Sequence, residues 1–198
     1  MKLFGQAAFL ASAGLSAQIP PPGPAEIAFA GRSNVGKSSA INALTGRRRL
    51  AFSSKTPGRT QTINFYDLGD ECRLVDLPGY GYARAPRTER DRWEQLVGGY
   101  LQERETLIGV VVVMDARRPV MPQDDRLLDW LAPFSFRLLA LLTKADKLSR
   151  TERAGALAQA KRVVGEALLF SSVSREGVES ARERLAQWLL EYRSSSPK

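Results

Sequence analysis

Eight consecutive residues, Gly31-Arg32-Ser33-Asn34-Val35-Gly36-Lys37-Ser38, set two glycines, a lysine and a hydroxyl at the spacing of a phosphate-binding loop. The glycines let the backbone curl so that successive N–H groups point at phosphate oxygens. A helix starting near Lys37 adds the partial positive charge of its N-terminus. Lys37 is expected to reach the β- and γ-phosphates of a nucleotide, and the Ser38 hydroxyl to bind Mg²⁺. Further along, Asp76-Leu77-Pro78-Gly79 follows the apolar run Leu74-Val75. Asp76 at the carboxyl end of a buried strand is placed to hold Mg²⁺ through a water, and Gly79 lets backbone approach the γ-phosphate.

Thr143-Lys144-Ala145-Asp146 follows a second apolar run, Phe136 to Leu142. The Asp146 carboxylate offers two acceptor oxygens. Guanine presents two adjacent donors to it, N1–H and the 2-amino group, whereas adenine would leave it unpaired. An unpaired buried polar group costs on the order of a few kcal/mol, so the expected base is guanine. The Lys144 stem can lie over the base plane. Phe170-Ser171-Ser172 ends another short apolar stretch, where a backbone N–H could contact guanine O6. Between the phosphate loop and Asp76, Lys55 to Thr62 is polar and carries hydroxyls. A hydroxyl there completes a Mg²⁺ shell only when γ-phosphate is present, which makes the segment a switch with Thr60 as its ligand.

The elements that must carry these residues can be read from patterning. Glu26–Ala30, Thr62–Leu68, Glu71–Asp76, Ile108–Met114, Phe136–Leu142 and Leu168–Phe170 read as strands. Lys37–Leu44, Thr88–Arg104, Gln123–Leu131, Thr151–Leu168 and Val178–Tyr192 read as helices, and Gly69-Asp70 as a turn. Alternating strands and helices imply an α/β fold: a central, mostly parallel sheet of about six strands, one antiparallel, flanked by helices in three layers. Residues 1–24 read as an N-terminal arm with a Pro-rich linker, 25–193 as one nucleotide-binding domain, and 194–198 as a tail.

The 198 residues suffice for one domain with a real core. A net charge of +8 favours polyanionic partners such as nucleic acid or an acidic membrane surface. With no histidine in the chain, His-based acid–base and metal chemistry is excluded, and with one cysteine, Cys72, so is an intrachain disulfide. Cys72 is expected in a strand, buried or half-buried. The apolar run from Leu3 to Leu15 is interrupted by Gly5, Gln6, Ser12 and Gly14 and is too short to span a bilayer. A nucleotide-dependent protein needs a cytosolic nucleotide pool, so a cytoplasmic location is expected.

Taken together, Gly-Arg-Ser-Asn-Val-Gly-Lys-Ser-Ser at 31–39, Thr-Pro-Gly-Arg-Thr-Gln at 56–61, Asn64-Phe65, Asp-Leu-Pro-Gly-Tyr-Gly-Tyr-Ala at 76–83, Thr-Lys-Ala-Asp at 143–146 and Phe-Ser-Ser at 170–172 resemble, in order and spacing, the EngB/YihA/YsxC family. These are bacterial ribosome-biogenesis GTP-binding proteins of the TrmE-Era-EngA-EngB-Septin-like class. The resemblance covers roughly residues 25 to 193. It implies a P-loop GTPase domain that hydrolyses GTP slowly, assists assembly of the large (50S) ribosomal subunit and is linked to normal septation and cell division. It further implies nucleotide contacts from Gly31, Arg32, Ser33, Asn34, Val35, Gly36, Lys37 and Ser38; from Gly58, Arg59, Thr60, Gln61 and Thr62; from Asp76, Leu77, Pro78 and Gly79; from Thr143, Lys144, Ala145 and Asp146; and from Phe170, Ser171 and Ser172. Ser38 and Thr60 would carry Mg²⁺, with Asp76 beside them.

Catalysis is expected to rest on Lys37, Asn34, Thr60 and Gly79. Many GTPases place Gln after the Asp-x-x-Gly glycine to orient water, and this chain has Tyr80 there. Related GTPases with Asn at the position of Asn34 use it to hold K⁺ near the phosphates, so K⁺ stimulation and a low intrinsic rate are expected. The basic residues Arg47, Arg48, Arg49, Lys55, Arg59, Arg84 and Arg87 lie in or near the switches, where nucleotide state could gate binding to ribosomal RNA. A monomer is expected. A metabolic nucleotide kinase and a scaffold at the division septum or membrane are the competing readings.

Overall fold

A computed structural model of the chain describes residues 3–52, 62–69, 72–80 and 87–195. The strands are β1 (Ala8–Ala13), β2 (Ala25–Gly31), β3 (Ile63–Asp67), β4 (Cys72–Asp76), β5 (Leu107–Asp115), β6 (Arg137–Thr143) and β7 (Ala167–Leu169). The helices are α1 (Lys37–Thr45), α2 (Arg87–Glu103), α3 (Pro122–Leu131), α4 (Arg150–Val164) and α5 (Val178–Ser195). One sheet runs in the order β1-β3-β4-β2-β5-β6-β7. β3 is antiparallel to both of its neighbours, and every other pairing is parallel.

Alternation along the central strands makes the layers. β2 and β5 are buried at every position. Ile27, Phe29, Val111, Val113, Leu139 and Leu141 face a cluster with Ile41 and Leu44 of α1 and Leu185 and Trp188 of α5. The intervening Ala28, Ala30, Val110, Val112, Ala140 and Leu142 face Val97 and Tyr100 of α2, Leu127 and Leu131 of α3 and Ala160 of α4. This period of two, set against helices on both faces, is the three-layer α/β arrangement anticipated from the pattern. Buried Cys72 begins β4.

Among the described residues the sheet has seven strands, one beyond the six or so expected, because Ala8–Ala13 pairs antiparallel with β3 as an edge strand and buried Phe4 joins the core ahead of it. Most of β1 is exposed, so no buried-strand signal marks it in sequence. The helix expected over 151–168 stops at Val164: Gly165 adopts φ 84°, its N–H closes on the Lys161 carbonyl, and β7 follows.

At the ends of the strands' N-terminal side, Glu26 is fully buried. It accepts from Arg104 Nη2 at 2.6 Å and Nε at 2.8 Å, and from the Tyr100 hydroxyl at 2.8 Å. Arg104 also donates to the Pro20 carbonyl at 2.9 Å, which ties the Pro-rich segment to the end of α2.

Candidate functional site

The carboxyl ends of β2, β4, β5, β6 and β7 deliver Gly31, Asp76, Asp115, Thr143 and, one residue on, Phe170 to the same edge of the sheet. Ligands of open parallel sheets bind at that edge.

The phosphate loop leaves β2 at Gly31. A Cβ there would sit 2.9 Å from the Val113 carbonyl oxygen and 3.0 Å from Val35 Cγ2, so only glycine fits. Gly36 has φ 103° and caps the start of α1, a conformation that glycine adopts without cost. Between them Asn34 is also left-handed, at φ 63°, and exposed, while Val35 is buried. Ser38 lies in the first turn of α1, partly exposed. The Lys37 ammonium pairs with the Asp76 carboxylate, which is 4% exposed. The residue expected at the phosphates and the residue expected near Mg²⁺ therefore converge on one point.

Asp76-Leu77-Pro78-Gly79 is pinned to β2 and to the loop. Leu77 N donates to the Phe29 carbonyl at 3.0 Å, and Tyr80 N to the Gly31 carbonyl at 3.4 Å. A Cβ on Gly79 would stand 3.0 Å from Ser33 Oγ, so Gly79 backbone touches the phosphate loop. Trp93 Nε1 of α2 donates to the Pro78 carbonyl at 2.9 Å. Tyr80 points inward: its hydroxyl donates to Asp124 Oδ1 at 2.7 Å, and burial first, then the Asp124 charge, pushes its ionisation well above the ordinary tyrosine range.

Thr143-Lys144-Ala145-Asp146 leaves β6 and clamps the loop from the other side. The Thr143 hydroxyl lies between the carbonyls of Val35 and Met114 as their shared donor. Lys144, left-handed at φ 59°, donates from Nζ to the Asn34 carbonyl at 2.9 Å and to Asp115 Oδ2 at 2.8 Å. Ala145 N donates to the Phe170 carbonyl at 3.1 Å. The buried Ser171 hydroxyl donates to Asp146 Oδ1 at 2.7 Å, and the Lys147 ammonium lies 3.4 Å from Oδ2. The Ser171 bond, seconded by Lys147, holds the Asp146 carboxyl below its ordinary range, so it is an ionised double acceptor. Ser172 is exposed.

Of the anticipated residues, Gly58, Arg59, Thr60 and Gln61 lie outside the described residues, as do Lys55 and Arg84; Thr62 sits just ahead of β3. Arg47, Arg48 and Arg49 are exposed after α1.

Two carboxylates escaped the sequence reading. Asp115 ends β5, accepts two bonds from the Arg117 side chain at 2.9 and 2.7 Å, and orients Lys144. Partial burial works to raise its pKa, but hydrogen bonds from Arg117 and Lys144 outweigh that and hold it well below the usual carboxylate range. An acid at the carboxyl end of a buried strand, the signal that singled out Asp76, also marks Asp115. The second is Asp124, in the first turn of α3, with no side-chain exposure; it takes Arg32 Nε on both oxygens at 3.1 Å.

The residues fit a guanine nucleotide. A glycine cradle, a lysine–aspartate pair at its floor and an ionised acceptor beside a lysine stem stand at one edge. A family model described as 50S ribosome-binding GTPase matches residues 26–144. A protein of Thiobacillus denitrificans (strain ATCC 25259 / T1), named "Probable GTP-binding protein EngB", is 54% identical over 85% of this chain and 84% of its own length. One of the same name from Aromatoleum aromaticum (strain DSM 19018 / LMG 30748 / EbN1) is 50% identical over 96% of this chain and 90% of its own. A solved structure titled as a probable GTP-binding protein engB superposes with a TM-score of 0.66 at 25% identity, over 84% of this chain and all of that one. Era, solved with MgGDPNP and nucleotides 1506-1542 of 16S ribosomal RNA, shares the fold at a TM-score of 0.65 and 18% identity, over 84% of this chain and 57% of its own. The chain belongs to the EngB family of GTP-binding proteins and is a GTPase.

Proposed function

We propose that this GTPase is a nucleotide-driven switch in assembly of the large ribosomal subunit, acting in the cytoplasm as a monomer, with normal septation and cell division depending on that assembly. What carries the proposal is the match of residues 26–144 to a family of 50S ribosome-binding GTPases. The net charge of +8 and the exposed Arg47, Arg48 and Arg49 suit an RNA surface. Among the described residues no helix is long and apolar enough to cross a membrane.

The described side chains support the following mechanism, with Thr60 assigned from the sequence. Backbone N–H groups from Gly31 to Ser38 bind the phosphates, and Lys37 neutralises charge that builds on the bridging and terminal oxygens. Ser38, Asp76 and Thr60 would hold Mg²⁺, which when bound neutralises phosphate charge. Gly79 brings backbone against the terminal phosphate, and Thr60, outside the described residues, would add its hydroxyl to the metal only while that phosphate is present, which is what would make the nucleotide a switch. Asp146 selects guanine and the Lys144 stem covers the base. Tyr80 is committed to Asp124, so the water-orienting role of a glutamine is unfilled and the intrinsic rate is low. Asn34, exposed in the phosphate loop, would share a K⁺ ion with the phosphates. Hydrolysis is expected to run faster in K⁺ than in Na⁺, and equal rates would remove Asn34 from the mechanism.

Co-sedimentation with 50S subunits in K⁺ buffer, with GTP or GDP at two salt concentrations, tests the switch. Binding that needs GTP and weakens with salt is expected. Absence of binding in both nucleotide states would overturn the ribosomal assignment and turn attention to the division machinery.

A further inference from the structure

Three segments far apart in sequence meet on one buried carboxylate. Asp124 Oδ1 accepts the Tyr80 hydroxyl at 2.7 Å and Arg32 Nε at 3.1 Å; Oδ2 accepts the same Nε at 3.1 Å and Met121 N at 2.9 Å. Arg32 continues to the Arg118 carbonyl at 3.3 Å. The phosphate loop, the residue after Gly79 and the first turn of α3 are thus locked together. Beside the lock, Arg32 and Tyr80 form a parallel bridge, and Tyr80 N donates to the Gly31 carbonyl. The Tyr80 ring lies edge-on to Trp93, 6.3 Å between centroids, and Trp93 in turn holds the Pro78 carbonyl. Gly79 is therefore fixed from both sides, by Pro78 through Trp93 and by Tyr80 through Asp124.

We propose that Asp124 is a positioning residue for GTP hydrolysis: by holding Arg32 and the Tyr80 hydroxyl together it sets the distance between the phosphate loop and Gly79. The burial of the carboxylate matters. A buried carboxylate without partners is costly, so Asp124 keeps all three segments close. Terminal phosphate chemistry depends on donors placed to within a fraction of an ångström, and a small misplacement costs on the order of ten- to a hundredfold in rate. Tyr80 acts through its hydroxyl as a tether, which gives a role to the residue standing where other GTPases carry glutamine. The proposal rests on assigning residues 31–38 to the phosphates.

The test compares Tyr80→Phe, which removes one hydroxyl, and Asp124→Asn, which keeps the shape and removes the charge, with the unaltered chain. Three quantities are read: the single-turnover hydrolysis rate at saturating GTP, the affinities for GDP and GTP separately, and Tm. The GDP affinity is expected to stay within about twofold, because neither substitution removes a bond of Asp146, Lys144 or Lys37, and the clasp reaches the phosphate loop only through the Arg32 side chain. The hydrolysis rate is expected to fall by about tenfold in Tyr80→Phe and by at least as much in Asp124→Asn, with GTP affinity falling relative to GDP. Hydrolysis within twofold of the unaltered chain in both variants would overturn the proposal. So would a parallel loss of Tm, GDP affinity and rate, which would mark Asp124 as only the cap of α3. Failure of the unaltered chain to bind GDP would sink the phosphate-site assignment itself, and the positioning role with it.

Discussion

In the proposed site, base choice falls to a single carboxylate. Asp146 spends one lone pair on the Ser171 hydroxyl at 2.7 Å and stays ionised, which leaves acceptor capacity for two adjacent donors. Asp146→Asn keeps the bond from Ser171 but replaces an acceptor by an N–H₂ donor. That donor opposes the guanine amino group and suits a carbonyl at the same ring position, as in xanthine. GTP affinity is expected to fall by about a hundredfold or more while XTP gains, measured by competition against a fluorescent nucleotide; unchanged GTP binding would remove Asp146 from base recognition. Asp146 and Lys37 were legible in the sequence because their motifs set chemistry at short spacing. Asp124 was not, because its partners Arg32 and Tyr80 lie 92 and 44 residues away and nothing local marks the meeting.

Elements were legible where burial was two-sided. β5 carries Val110 to Val113 without a polar interruption and could hardly be anything but a central strand. β1 was not legible: Ala-Phe-Leu-Ala-Ser-Ala is mostly exposed, and only pairing with β3 makes it a strand. The end of α4 turned on one glycine, Gly165, whose meaning as a stop depends on the backbone it meets. Its counterpart between β7 and α5 is Gly177, and the two separate conformational from steric cost. Gly165 has φ 84° and ψ −45°, outside the left-handed helical well, with open space around it, so Gly165→Ala is expected to cost only backbone strain, about 2 kcal/mol. Gly177 has φ 73°, and a Cβ there would lie 1.9 Å from the Leu169 carbonyl oxygen. Backbone must move to relieve that, in the turn that also holds Ser171. Gly177→Ala is therefore expected to cost about 3 kcal/mol or more, lowering Tm by roughly 6–12 °C, against a few degrees for Gly165→Ala. Equal losses in a thermal melt would show that the turn yields freely.

Across the whole molecule the parallel sheet separates two tasks. Its carboxyl edge gathers the residues proposed to bind nucleotide, while its opposite edge holds Glu26, Arg104 and Tyr100 in a buried group that fastens the Pro-rich segment to α2. Glu26 is fully buried, and Arg104 is 7% exposed. Arg73 Nη1 also stands 3.6 Å from Glu26 Oε1 and offsets part of its charge, so removing Arg104 is expected to cost about 3 kcal/mol, the low end for a broken buried pair, whereas removing both Glu26 and Arg104 charges costs less. Arg104→Met is accordingly expected to destabilise the chain by that amount in urea, and Glu26→Gln added to it should recover a large part, since the amide oxygen can still accept from Tyr100. Nucleotide affinity of Arg104→Met, measured well below its melting range, should stay within about twofold of the unaltered chain, because the lost contacts lie at the far end of the strands. A large fall in affinity at preserved folding would show that α2 carries the state of the Glu26 group to Pro78 and Tyr80, through the Trp93 that α2 also presents to them. The two edges of the sheet would then be coupled, and the N-terminal segment would belong to the switch.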